Sequence, residues 1–255
     1  MRREGEFKIE QVGLPHLPPI ARTDQRPETH HGTAHARLGE HRWSTADLTE
    51  PMASAIIRRA IDISVALALL VLTLPIMIAI AVCIRLDSPG PAVFCQKRVG
   101  RAGKLFTFYK FRTMYANARQ LFPELYRYEF TAEELEALYF KRRDDPRVTR
   151  AGRWLRRRSL DELPNLISLL LGDVTLVGPR PDIPEMVRHY TPRQSRKLHV
   201  NPGITGLAQI HGRCQLRFQE TLRYDVQYVD RRSLKLDVEI LLRTALAVLT
   251  GHGAF

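Results

Sequence analysis

Hydrophobic and polar positions divide this chain into regions of unlike character. Residues 1–50 mix Pro, Gly, His and alternating charges with no sustained apolar period. Such a segment lacks the apolar surface needed to offset the entropy of folding, so a disordered tail is expected over 1–55. Ile63 to Ile84 then runs for 22 residues without a charge, ISVALALLVLTLPIMIAIAVCI. About 20 such residues are enough to cross a bilayer as a helix. Pro75 falls at the thirteenth position of the run, where it removes a helical hydrogen bond and crowds the preceding turn. Arg58 and Arg59 stand before the run, and Arg85, Lys97, Arg98 and Arg101 after it. Basic flanks stay in the cytoplasm, so the expected element over 56–86 is a re-entrant helix. It breaks at Pro75, dips into one leaflet and returns. A straight crossing and a buried soluble helix are the alternatives that the same pattern allows.

Asp87-Ser88-Pro89-Gly90-Pro91 ends this helix and starts a loop. Val93-Phe94 and Leu105–Phe111 have β-type composition, with Gly100 to Lys104 supplying turn residues between them, so a short hairpin is expected. Residues 117–140 read as an amphipathic helix interrupted at Pro123. A second lies over 234–249, with Leu234, Val238, Leu241, Leu242, Ala245 and Leu249 on one side. Either helix suits a membrane interface or burial against the rest of the domain. The predicted fold is mainly α with a small β-hairpin: a re-entrant membrane helix, interfacial helices and a cytosolic catalytic domain over 87–255.

Charge sharpens this picture. The chain carries 39 Lys+Arg against 27 Asp+Glu, a net of +12, and residues 85–160 alone account for +10 of it. The basic block therefore follows directly on the most apolar stretch, as in a protein seated on an anionic leaflet or gripping phosphates beside one. A nucleic-acid partner is not expected: it would need exposed aromatics or a groove-reading helix among the cations. Cys83, Cys95 and Cys214 are spaced for neither a zinc site nor a disulfide framework. They read as reduced thiols.

Candidate chemistry concentrates in Arg156-Arg157-Arg158-Ser159-Leu160-Asp161-Glu162-Leu163-Pro164-Asn165-Leu166. Ser159 and Glu162 have capping-box spacing, Pro164 is tolerated near a first turn, and Gly172 can close the helix. A helix start between Ser159 and Asp161 follows. Asp161 and Glu162 then sit in the first turn, where the helix N-terminus and the upstream arginines favour their ionised forms. An ionised carboxylate can attack phosphorus, and a second one beside it can hold a divalent cation. Spacing alone favours a helix cap over a catalytic dyad. Three further segments shift the balance: Lys110-Phe111-Arg112-Thr113-Met114, Gly178-Pro179-Arg180-Pro181 and Asn201-Pro202-Gly203-Ile204-Thr205-Gly206-Leu207. Together they offer cations and backbone donors to a multiply charged anion.

These segments lie within four longer motifs, DSPGPAVFCQKRVGRAGKLFTFYKFRTM, DDPRVTRAGRWLRRRSLDELPNL, GDVTLVGPRP and NPGITGLAQIHGR. In this order the chain, from about Arg58 to Phe255, resembles the bacterial sugar transferase family, the small monotopic phosphoglycosyl transferases. The resemblance implies an enzyme of the inner membrane whose catalytic domain faces the cytoplasm. It implies transfer of a sugar-1-phosphate from a UDP-sugar to polyprenyl (undecaprenyl) phosphate, with release of UMP. Asp161 would be the covalent nucleophile, and Glu162, with Asp161, would hold Mg²⁺. Arg156 matches a family arginine near the dyad. Lys110, Arg112, Gly178, Pro179, Arg180 and Pro181 fall in motifs that line the phosphate and nucleotide site. Asp225 matches an acidic family position, and Pro75 the break of the re-entrant helix. The ending LTGHGAF and the DDPRVT segment look most like the exopolysaccharide-production branch, which favours galactose or glucose. Membrane lipids are expected partners, and the resemblance is compatible with a homodimer. A non-catalytic membrane-anchored scaffold is the alternative; it predicts lipid binding without UMP release. Relatives commonly carry Ser before the kink proline, whereas Leu74 stands there in this chain and Thr73 is the nearest hydroxyl.

Overall fold

The computed structural model describes residues 51–139, 144–212 and 215–250. Residues 1–50 of the predicted tail, Cys214 and the closing GHGAF lie outside them, and the last residues of that tail, Met52–Ala55, are helical instead. Helix α1 (Met52–Asp87) takes up the whole apolar run, and Pro75 lies inside it without splitting it into two helices. Thr73 Oγ1 donates to Leu69 O at 2.6 Å. It does not serve the Val71 carbonyl, which is the one that Pro75 leaves without its usual donor. Val71, Leu72, Leu74, Ile76 and Ile78 are each more than half exposed, whereas Asp62, Ala66, Ile80 and Ile84 are buried. The middle of α1 thus presents an apolar surface while both of its ends grip the domain.

The hairpin forms as expected. Strands β1 (Val93–Val99) and β2 (Leu105–Phe111) pair antiparallel, from Val93 opposite Phe111 to Val99 opposite Leu105. Polar Gln96, Lys97 and Arg98 hid the second half of β1 in the sequence. The 117–140 segment resolves into α2 (Ala118–Leu121), a 3₁₀ turn from Pro123 to Tyr126 and α3 (Ala132–Ala137). After α4 (Arg150–Arg157) come a 3₁₀ turn (Leu160–Asn165) and α5 (Leu166–Leu171), which Gly172 ends at φ 88°. Strand β3 (Thr175–Val177), helix α6 (Pro184–Val187), a 3₁₀ turn (Gln194–His199) and β4 (Gly203–Thr205) follow. Helices α7 (Leu207–His211), α8 (Phe218–Arg231) and α9 (Leu234–Thr250) complete the described chain.

The pairing of β3 with β4 is parallel, Thr175 opposite Gly203 and Val177 opposite Thr205. Neither strand was legible in the sequence, because three-residue strands carry too little alternation to register as strands. Glycine makes the close approach feasible. A Cβ on Gly203 would lie 2.0 Å from Gly178 N, and one on Gly206 would lie 2.2 Å from Gly178 O.

Two apolar clusters place α1 behind the dyad turn. Ala66 meets Phe106 and Phe108 of β2 and Leu166 and Leu169 of α5. Ile80 and Ile84 meet Phe111 of β2 and Leu155 of α4. Each large side chain so buried contributes roughly 1.5–3 kcal/mol. Polar anchors fix both ends of α1. At the N-terminal end, Arg58 bonds Asp237 at 2.5 Å and Leu176 N donates to Asp62 at 2.9 Å. Arg59 donates to Leu169 O at 2.8 Å and Leu170 O at 2.7 Å, capping α5. At the C-terminal end, Ala151 N donates to Asp87 at 3.1 Å. Arg58 and Arg59, read from sequence as membrane flanks, are therefore also structural clasps.

Candidate active site

The dyad turn is entered through Ser159, a non-glycine residue in the left-handed region (φ 55°, ψ 21°). Such a conformation costs on the order of 1 kcal/mol and marks a constrained position. The predicted capping box does not form: Ser159 makes no side-chain cap, and Leu160–Asn165 winds as 3₁₀ helix. Glu162 is turned instead toward two cations. Its Oε1 accepts from Lys110 Nζ at 3.1 Å and from Arg180 Nη2 at 2.7 Å. Asp161 is 9% exposed, and no hydrogen bond or ion pair ties its carboxylate among the described residues. The adjacent carboxylates are thus unequal: Glu162 is held and Asp161 is not. Neither caps the helix.

Lys110 reaches Glu162 from β2, against which the dyad turn packs. Burial lowers the Lys110 ammonium to about 8, with neighbouring Arg180 and Arg98 adding to the shift and Glu162 opposing it. The Glu162 carboxylate instead raises the Arg180 guanidinium. Arg98 is a third cation here, which the sequence named only as a membrane flank. Its guanidinium donates to Pro181 O at 3.1 Å, and burial with Arg180 nearby lowers it to about 10. The Phe108 ring lies between two of these cations, 5.1 Å from Lys110 Nζ and 5.7 Å from Arg98 Cζ. Lys110, Arg180 and Arg98 thus cluster beside the two carboxylates, a concentration of cations suited to a pyrophosphate.

The other residues read from sequence fall into supporting places. Arg112 is buried and donates to the carbonyls of Ser88 at 2.7 Å, Pro89 at 2.5 Å and Ile84 at 3.4 Å. It closes the C-terminal end of α1. Arg156, on the last turn of α4, donates through Nε to Thr113 Oγ1 at 3.0 Å. A Cβ on Gly152 would sit 2.1 Å from Thr113 O, so α4 lies tight on the exit of β2. Gly178 and Pro179 are locked to β4, with Gly178 N donating to Thr205 O and Gly203 N to Pro179 O, both at 2.9 Å. Asp225 is fully buried on α8, 2.7 Å from Lys197 Nζ, and burial raises its carboxyl to about 6. Its carboxylate faces Lys197 in the interior and is not exposed to solvent. Among the described residues no group of three or more His, Cys, Asp or Glu side chains could cage a metal. What the dyad offers is two carboxylates, a set that suits Mg²⁺ shared with substrate phosphates and water.

A family model described as bacterial sugar transferase matches residues 53–251. The chain belongs to this family. This sugar transferase is 44% identical over 172 residues to the galactosyl transferase CpsE of Streptococcus agalactiae, covering 67% of this chain and 37% of CpsE. It is 41% identical over 166 residues to the undecaprenyl-phosphate galactose phosphotransferase of Salmonella typhimurium, covering 65% of this chain and 35% of that protein. It is 32% identical over 200 residues to the exopolysaccharide production protein ExoY of Sinorhizobium fredii, 78% of this chain and 88% of ExoY. The chain therefore spans little more than a third of the two larger relatives and most of the smaller one.

Proposed function

We propose that this protein is a phosphoglycosyl transferase that moves a sugar-1-phosphate from a UDP-sugar to a polyprenyl phosphate at the cytoplasmic face of the inner membrane. The observation that carries this reading is the contrast within the dyad: Asp161 untethered, Glu162 held between Lys110 and Arg180. A free carboxylate beside cations is what attack on a phosphate needs, since the cations offset repulsion between two anions. In the first step an Asp161 carboxylate oxygen bonds to the β-phosphorus of the UDP-sugar. The bond to the oxygen bridging the two phosphates breaks, and UMP leaves with that electron pair. In the second step an oxygen of the polyprenyl phosphate bonds to the same phosphorus, the acyl-phosphate P–O bond to Asp161 breaks, and the carboxylate is regenerated. Lys110 and Arg180, steadied by Glu162, are suited to bind and orient the pyrophosphate. Glu162, with Asp161 beside it, is suited to hold a Mg²⁺, which when bound neutralises pyrophosphate charge.

The names of CpsE and the Salmonella relative favour galactose, with glucose the next candidate, and ExoY points to exopolysaccharide assembly. Incubation with undecaprenyl phosphate and a panel of UDP-sugars is expected to release UMP with UDP-galactose or UDP-glucose. Binding of vesicles without UMP release from any member of the panel would instead favour a scaffold.

A re-entrant α1 is part of the same proposal. It is supported by the anchoring of both helix ends to one domain, through Arg58, Arg59 and Asp62 at one end and Asp87 and Arg112 at the other. A helix that crossed the bilayer would carry one of those ends away from the domain. Ala55→Cys and Pro89→Cys, each in a background lacking Cys83, Cys95 and Cys214, are expected to resist an impermeant maleimide in intact cells. Both should label after permeabilisation. Labelling of either one from outside would mean a full crossing.

A further inference from the structure

We propose that Lys197 is a positioning residue that holds Arg180 against Glu162, an inference that rests on the transfer reaction proposed above. Lys197 is 3% exposed, in a 3₁₀ turn distant in sequence from the dyad. Its Nζ lies 2.8 Å from Asp182 Oδ2 and 2.7 Å from Asp225 Oδ2, joining that turn to the arginine loop and to α8. It also stands 5.6 Å from the centre of the Tyr190 ring, whose hydroxyl donates to Asp182 at 2.5 Å. A desolvated lysine is costly to keep unless paired, and this one is paired twice, with a carboxylate two residues from Arg180.

The loop it serves is fixed residue by residue. Gly178 N donates to Thr205 O, Pro179 O accepts from Gly203 N, and Asp182 O accepts from Val99 N. Pro181 O accepts from Arg98. The Asp225 carboxylate lies near enough to the Arg180 backbone N–H to be favoured by it electrostatically. The carboxylates of Asp182 and Asp225, both nearly or fully buried, meet at the single Lys197 ammonium. Lys197 and Tyr190 hold the Asp182 carboxyl below its ordinary range against the opposing effect of burial. Removing the ammonium leaves two like charges facing each other, and the loop must shift or take up a proton to relieve them. The guanidinium of Arg180 sits on that loop, 2.7 Å from Glu162. A misplacement of about 1 Å there can cost on the order of 10²-fold in rate.

The test is a double-mutant cycle on the full chain in detergent, read as UMP release per folded protein. Lys197→Met is expected to lower kcat/KM for the UDP-sugar by about 10²-fold and to raise KM, as Arg180→Ala does. In the Arg180→Ala background, Lys197→Met should add no more than about 2-fold, because both act through one contact. A Lys197→Met loss with unchanged KM, or one that multiplies with Arg180→Ala, overturns the proposal. If Arg180→Ala keeps the wild-type kcat/KM, it is the assignment of Arg180 to the site that fails. Should Lys197→Met not fold, Asp182→Asn probes the same link. It keeps an acceptor for Tyr190 and removes the charge, and additivity with Arg180→Ala would again overturn the proposal.

Discussion

Asp161→Asn is expected to lower UMP release by at least about 10³-fold, equivalent to roughly 4 kcal/mol of barrier. The substitution keeps shape and removes the charge and nucleophilicity of one oxygen. Because no partner ties the Asp161 carboxylate among the described residues, the change leaves no donor orphaned. Thermal stability should therefore stay close to that of the parent, which separates chemistry from folding. A second readout follows from the covalent step. Supplied with labelled UDP-sugar and no polyprenyl phosphate, the parent protein should retain label after denaturation and the variant should not. Wild-type UMP release by Asp161→Asn would remove Asp161 as nucleophile.

Glu162→Gln should have the next largest effect, a loss on the order of 10²-fold in kcat/KM. Glu162 is the carboxylate that bonds both Lys110 and Arg180. Gln keeps an acceptor oxygen but loses the charge that offsets those two cations, with Arg98 close behind. Charge-assisted hydrogen bonds are roughly twice as strong as neutral ones. The side chains involved are 18–29% exposed, so water screens part of the pairing. The stability cost is accordingly about 1–2 kcal/mol, below that of breaking a fully buried pair. Glu162→Asp retains the charge with a shorter reach and should fall between parent and Gln. If Glu162 also holds Mg²⁺, Glu162→Gln needs more Mg²⁺ for half-maximal rate. An unchanged Mg²⁺ requirement, with the rate loss intact, would leave Glu162 as a clasp for the cations alone.

Several features could be read because their causes are local. The 22-residue uncharged run is helical, although without the expected break at Pro75, the β2 pattern is a strand, and Gly172 ends α5 in the left-handed region. Hydrophobic period and glycine's conformational freedom act over a few neighbouring residues, so they leave a trace in order alone. The dyad was locatable for the same reason, but its meaning was not. Ser159 and Glu162 have the spacing of a cap, and capping competes with any other partner that the fold brings near. Lys110 and Arg180, 52 and 18 residues away, win that competition for Glu162.

Partners far apart in sequence were beyond reach of any pattern. Arg112 looked like a phosphate ligand, and its two terminal nitrogens donate to the carbonyls that close α1. Asp225, which matches an acidic family position, is fully buried against Lys197. Lys197 had the appearance of one more solvated cation in a polar stretch, yet it is among the more deeply buried charged groups. The sequence by itself determined the apolar helix, the hairpin, the position of the dyad and the glycines that let β3 and β4 meet. The tertiary structure alone decided which charges face one another and which carboxylate is left free, because charge pairing depends on distance through space and is indifferent to distance along the chain. Only that arrangement made Asp161 and Glu162 chemically unequal.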